Sequence, residues 1–209
     1  MKIPRLLAIS SPEVGPGAAW RRWCGELAGA GVDGLQVRRK TGSDRDLLAL
    51  AAEARDRTAG ALVLLVNGRF DIALAAGADG VQLPAAGLPV ARVRGALAAG
   101  ADRPLLLGRS THSVEEVRRA RAEGADFVLF GPVFETPSKV GRIPSRGLAG
   151  LAEAASCGLP VLALGGIDGG NAAEALDAGA WGLAAIRWFA DPAASRADYA
   201  LLLRRWQAA

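Results

Sequence analysis

The chain has 209 residues, of which 51% are hydrophobic and 22% charged, with a formal net charge of +4. That length buries a substantial core without disulfides or metal. No segment reaches the roughly 18 uninterrupted apolar residues of a membrane span. Met1-Lys2-Ile3-Pro4-Arg5 leads into only a short apolar run, without a signal peptide's h-region. The expectation is one soluble, cytoplasmic domain over residues 1–209 that neither enters a membrane nor binds nucleic acid: its arginines are dispersed, and it has no basic tail or aromatic-basic stacking motif. Cys24 and Cys157 belong to no Cys-x-x-Cys or Cys/His cluster and read as reduced thiols.

Short β-type apolar runs alternate with Ala/Leu/Arg segments of helical period. Strands are predicted at 5–9, 33–37, 62–66, 79–82, 104–108, 126–130, 160–164 and 181–186. Helices are predicted at 17–30, 43–58, 69–76, 88–99, 113–123, 145–157, 169–178 and 195–207. Four repeats share a glycine helix stop running directly into a strand: AGVDG (30–34), AGADG (76–80), EGADF (123–127) and AGAWG (178–182). Ser113-x-x-Glu116 fits a capping box. Eight βα units without a long linker favour a closed (β/α)8 TIM barrel over an open doubly wound sheet, and no GxGxxG follows the first strand.

In such barrels function sits on the loops after the strands, and phosphate is commonly held after strands seven and eight. Those places carry Gly165-Gly166-Ile167 and Ile186-Arg187, where glycines admit an anion to backbone N–H groups, a helix start follows, and an arginine adds charge. Strand two ends in QVRRK, whose period of two puts Gln36, Arg38 and Lys40 on one side, suited to a polyanion. Strand three leads into Asn67-Gly68-Arg69. Strand five ends in Gly108-Arg109-Ser110-Thr111-His112, and the sole histidine, His112, is as compatible with a local structural role beside Ser113 as with proton transfer. The stretch 131–141 after strand six carries Glu135, Thr136, Ser138 and Lys139, the makings of a substrate-covering loop.

At these positions the chain resembles the thiamin phosphate synthase/TenI family over nearly its whole length. The motifs are QVRRK (36–40), VNGR (66–69), GRSTH (108–112), GPVFETPSK (131–139) and GGI (165–167). The resemblance implies a barrel binding a small phosphorylated thiazole and, in the synthase branch, a pyrimidine diphosphate as well. In that branch Gln36, Arg38, Lys40 and Asn67 would hold the pyrimidine diphosphate, with Ser110 and Lys139 on its diphosphate. Thr136 and Ser138 would meet the thiazole phosphate, and Gly165, Gly166, Ile186 and Arg187 its phosphate loops.

Synthases of this family bind Mg2+ through two aspartates, whose places here hold Gly68 and Gly87. Mg2+ wants carboxylate oxygens and bridges a diphosphate leaving group. The details of VNGR, VQLP, GRS and LFGPVFET look like the TenI branch, whose thiazole tautomerase moves a proton without a metal or other cofactor. The expectation is therefore a TenI-like thiazole tautomerase. A synthase with an altered metal site and a non-catalytic thiazole or thiamin phosphate-binding regulator are the alternatives. Pro132 fills the position of the tautomerase's histidine and cannot move a proton, so Glu135, Lys139 or His112 would have to, and nothing in the sequence chooses among them. Trp20, Trp23, Trp188 and Trp206 are compatible with a homodimer and equally with core packing.

Overall fold

The computed structural model describes residues 1–11, 14–135 and 144–207. Eight parallel strands close in sequence order into a barrel: β1 (Leu6–Ile9), β2 (Gly34–Val37), β3 (Val63–Asn67), β4 (Gly80–Leu83), β5 (Leu106–Thr111), β6 (Phe127–Phe130), β7 (Val161–Leu164) and β8 (Gly182–Ala185). Each is followed by a helix: α1 (Ala18–Ala30), α2 (Asp44–Thr58), α3 (Phe70–Ala75), α4 (Val90–Gly100), α5 (Val114–Ala122), α6 (Gly147–Ala155), α7 (Ala172–Asp177) and α8 (Arg196–Gln207). Closure rests on β1 pairing with β8, with Leu6 opposite Leu183 and Ala8 opposite Ala185. That pairing excludes the open sheet.

Strand alternation divides the apolar residues into two cores. Leu7, Ile9, Leu65, Leu106, Phe127, Leu129, Leu162 and Ala184 fill the barrel interior. A larger shell, including Leu6, Leu35, Leu64, Val81, Leu107 and Val128, packs the outer sheet face against the helices.

The recurring hinge has a physical purpose that periodicity does not show. Its aspartate stands just before an even-numbered strand and accepts backbone N–H groups at the start of the preceding one. Asp33 takes those of Arg5 at 2.9 Å and Leu6 at 2.7 Å. Asp79 takes that of Leu64 and Asp126 that of Leu107, each at 2.7 Å. Arg55 and Arg94 pair with the latter two carboxylates. At the fourth hinge Trp181 replaces the acid, and the Arg5 guanidinium lies 3.6 Å from its ring centroid while donating to the Trp181 carbonyl. These carboxylates hold the barrel's N-terminal end together, opposite the mouth.

Three local expectations change. β5 extends to Thr111, because Gly108–Thr111 pair with β6, so Arg109 and Ser110 lie on the strand rather than in a loop. Ser113 caps α5 through its Oγ, which accepts from Glu116 N at 3.2 Å, but the Glu116 carboxylate turns to the His112 N–H at 2.5 Å instead of closing the box. The reciprocal capping box is Ser43 with Asp46, at the start of α2. A 3-10 turn at Arg187–Phe189, unforeseen from the sequence, leads from β8 toward α8.

The tryptophans named above serve packing. Trp20 is buried and donates to the Leu50 carbonyl, and Trp23 stacks on it while donating to the Phe189 carbonyl. Trp188 packs on Phe189 and Tyr199. Cys24 and Cys157 are both buried and free, and burial, reinforced by Glu53, pushes the Cys24 thiol up to about 12. Among the described residues no helix is long and apolar enough to cross a membrane.

Candidate functional site

The mouth is built on the inward-facing positions at the C-terminal ends of the strands. Period-two alternation carries the interior set upward from Leu65 to Asn67, and from Leu106 through Gly108 to Ser110. Gln36 and Gln82 face inward by the same parity, and Asn67 is the register partner of Gln82. The result is a belt of four uncharged polar side chains on β2 to β5. Gln36 Nε2 donates to Asn67 Oδ1 at 3.0 Å, and Gln82 Nε2 donates to Ser110 Oγ at 3.1 Å. Gln36 is 2% exposed and Gln82 fully buried, yet the Oε1 of each has no hydrogen-bond partner among the described residues. Leaving a buried acceptor unpaired costs about 1–3 kcal/mol.

Above the belt the QVRRK segment separates. The backbone of Arg38 is clasped by buried Ser10, whose Oγ accepts from Arg38 N at 2.8 Å and donates to Arg38 O at 3.1 Å. Arg39 turns away, donating to the Val14 carbonyl and pairing with Asp46 at 3.5 Å, so it latches loops together. The strand ends at Val37, and Lys40 lies exposed beyond it. Gln36 thus faces the barrel interior, Arg38 follows directly above it with its backbone held by Ser10, and Lys40 is exposed two residues further on. Ser10 is the residue here that sequence reasoning missed; its short, unremarkable side chain gave no signal.

Gly68 and Gly87 flank Pro84. Gly68 has φ +75°, and a Cβ there would sit 3.6 Å from the Pro84 ring. A Cβ on Gly87 would approach the Pro84 carbonyl to 3.0 Å. Arg69 is drawn into ion pairs with Asp71 and Asp44, which raise its guanidinium pKa and hold the Asp71 carboxyl below its usual range. Arg109, on the outer face of β5, donates to the carbonyls of Ala85 and Leu88, each at 2.7 Å, and so pins the loop containing Gly87. Among the described residues no group of three His, Cys, Asp or Glu side chains could hold a metal ion. Gly68 and Gly87, where the family's Mg2+ carboxylates would stand, carry no carboxylate, so these two positions do not fit that ion.

His112 is held on two sides. Its backbone N–H goes to Glu116, and its Nδ1 contacts the Gly131 carbonyl, which can only accept, so Nδ1 carries the proton and Nε2 is the one nitrogen left for chemistry. Glu135 is exposed at the end of the described β6 loop. Lys139, Thr136 and Ser138 lie outside the described residues.

The glycine loop after β7 has more than one task. Gly165 and Gly166 have φ of +99° and +69°. The β6 loop lies directly against them, with Val133 N bonded to Leu164 O at 2.9 Å and Phe134 N to Gly165 O at 3.0 Å. A Cβ on Gly165 would come within 2.6 Å of Pro132, and one on Gly166 within 2.6 Å of the Glu135 carbonyl. The glycines are thus needed for left-handed turns and close packing. α7 has six residues and starts beyond Asn171, so it adds little dipole to this loop. Ile186 and exposed Arg187 follow β8 at the same rim.

The model of one protein family, described as thiamine monophosphate synthase, matches residues 6–189. A thiamine-phosphate synthase of Methanoculleus marisnigri is 42% identical over 184 residues, covering 87% of this chain and 85% of that protein. A putative thiamine-phosphate synthase of Geobacter sulfurreducens is 47% identical over 165 residues, covering 78% of this chain and 75% of its own length. Among solved structures, a thiamine phosphate pyrophosphorylase from Pyrococcus furiosus superposes with a TM-score of 0.82 at 28% identity, covering 96% of both chains.

Proposed function

The chain belongs to the thiamine monophosphate synthase (TMP-TENI) family, and we propose that within it the barrel is a thiamine-phosphate synthase, joining a thiazole phosphate to a pyrimidine diphosphate. The observation that carries this reading is the identity of 42–47% to proteins named as synthases or putative synthases, over most of this chain. It displaces the tautomerase expected from the local motifs as the first choice. The polar belt suits the uncharged pyrimidine ring, with Gln36 and Asn67 offering both acceptor and donor atoms. Arg38 and Lys40 supply positive charge for the diphosphate, Ser110 a hydroxyl, and Lys139 a further cation from the β6 loop. Thr136 and Ser138 with the Gly165-Gly166 and Ile186-Arg187 loops are the proposed seat of the thiazole phosphate.

In the reaction the thiazole nitrogen forms a bond to the pyrimidine's methylene carbon as the carbon–oxygen bond to diphosphate breaks. The charge that builds on the departing diphosphate is met here by Arg38, Lys40 and Lys139. Gly68 and Gly87 supply no carboxylate to hold a metal ion against that charge.

The glycines at positions 68 and 87, in place of metal-binding carboxylates, favour a second reading, the metal-independent thiazole tautomerase. It would use His112 through Nε2, Glu135 or Lys139 as the proton-moving groups. One experiment separates the two. The purified protein is incubated with thiazole phosphate and pyrimidine diphosphate, with Mg2+ and with EDTA, and separately with the thiazole phosphate carboxylate tautomer alone. Release of pyrophosphate at ordinary enzymatic rates supports the synthase. Isomerisation without pyrophosphate release overturns it in favour of the tautomerase, and binding with neither activity makes the barrel a non-catalytic binder.

A further inference from the structure

The two buried glutamines of the belt repeat one arrangement. Each stands on an even strand and donates its amide N–H to the oxygen of the polar side chain on the next strand: Gln36 to Asn67, and Gln82 to Ser110. A hydroxyl that accepts from an amide keeps its own proton to donate. An Asn whose carbonyl oxygen is already engaged keeps its NH2. Both pairs therefore leave donors for the mouth.

The orientation of the Gln82 amide is fixed by its surroundings. A Cβ on Gly108 would fall 2.1 Å from Gln82 Oε1 and 2.3 Å from Phe127 Cζ, so the carbonyl oxygen and the ring edge share the gap that this glycine leaves. The edge of an aromatic ring is its positive rim, which favours an oxygen there and disfavours an NH2 group. The nitrogen is consequently the atom turned to Ser110.

We propose that Gln82 is a positioning residue that sets the Ser110 hydroxyl as a hydrogen-bond donor to the anionic oxygens of the diphosphate-bearing ligand. The proposal deepens the synthase reading and rests on it. Gln82 does not touch the anion; it acts through Ser110, and Gly108 and Phe127 hold it in the donating orientation. The unpaired Gln82 Oε1 is a cost to the fold that the arrangement tolerates.

The test is a double-mutant cycle on the full chain, with inorganic pyrophosphate as the probe and calorimetric affinity as the readout. Ser110→Ala is expected to weaken binding about tenfold and Gln82→Met about fivefold, the scale of one hydrogen bond lost or loosened. The double variant is expected to match Ser110→Ala alone rather than reach about fiftyfold, because Gln82 has no effect once the hydroxyl is gone. Thermal unfolding of Gln82→Met is expected at or above the wild-type midpoint, since methionine removes an unpaired buried carbonyl. Unchanged affinity in Gln82→Met, or additive losses in the double variant, overturns the proposal while leaving the synthase reading intact. Absence of pyrophosphate binding by the wild-type protein overturns both. A Gln82→Met protein with a clearly lowered midpoint and additive losses marks a purely structural role and also overturns it.

Discussion

Replacing Asp33 by alanine removes the carboxylate that accepts the backbone N–H groups of Arg5 and Leu6. Leu6 is fully buried, so its N–H is left without a partner or ready access to water. A hydrogen bond to a charged acceptor contributes about 1.5–3 kcal/mol, and the bond to partly exposed Arg5 about 1 kcal/mol. The pairing with Lys2, whose side chain is 70% exposed, adds close to nothing. The expected loss is about 3 kcal/mol. For a chain of this size each kcal/mol moves the melting temperature by about 2–4 °C, so differential scanning calorimetry should show a fall of about 6–12 °C. Asp79→Ala and Asp126→Ala, which each free one backbone N–H, should fall less. Because all three acids lie at the N-terminal end, pyrophosphate affinity of the folded variants should match wild type. A melting temperature within about 2 °C of wild type for Asp33→Ala, or lost affinity at unchanged stability, would refute the structural assignment of this hinge.

Ser10→Ala releases the backbone of Arg38, and pyrophosphate titration should show affinity reduced about tenfold for the loss of one charge-assisted contact; wild-type affinity would show that Arg38 needs no such support. Cys24 should resist a thiol reagent in the folded protein at pH 8 and react once the chain is unfolded in denaturant. Its folded pKa of about 12 lies above the ordinary thiol value of 9.0, so its stabilising contribution is complete below pH 9 and is lost as pH rises toward 12, which alkaline unfolding curves of Cys24→Ala against wild type would reveal. The Asp71 carboxyl is depressed mainly by its hydrogen bond from Arg69. Its contribution is therefore present above the unfolded carboxylate value and lost as pH falls through the lower folded one, so the stability deficit of Asp71→Asn should shrink on acidification.

All eight strands and eight helices were legible from the alternation of apolar runs with helical periods, because burial on both faces of a parallel strand and on one face of a helix leaves a local trace. The candidate mouth was legible as well, since the residues that follow each strand must converge at one end of such a barrel. What the sequence by itself determined is this order of βα units, the family motifs at the strand ends and the absence of carboxylates at 68 and 87. Only the tertiary structure decided that β1 meets β8, that Asp33, Asp79 and Asp126 hold backbone N–H groups far from the mouth, and that Arg39 and Arg109 bind loops. It alone shows Gln82 donating to Ser110 across two strands and Ser10 clasping Arg38. These contacts join residues 28 positions apart, and neither composition nor periodicity specifies which hydrogen-bonding groups a closed barrel brings into contact.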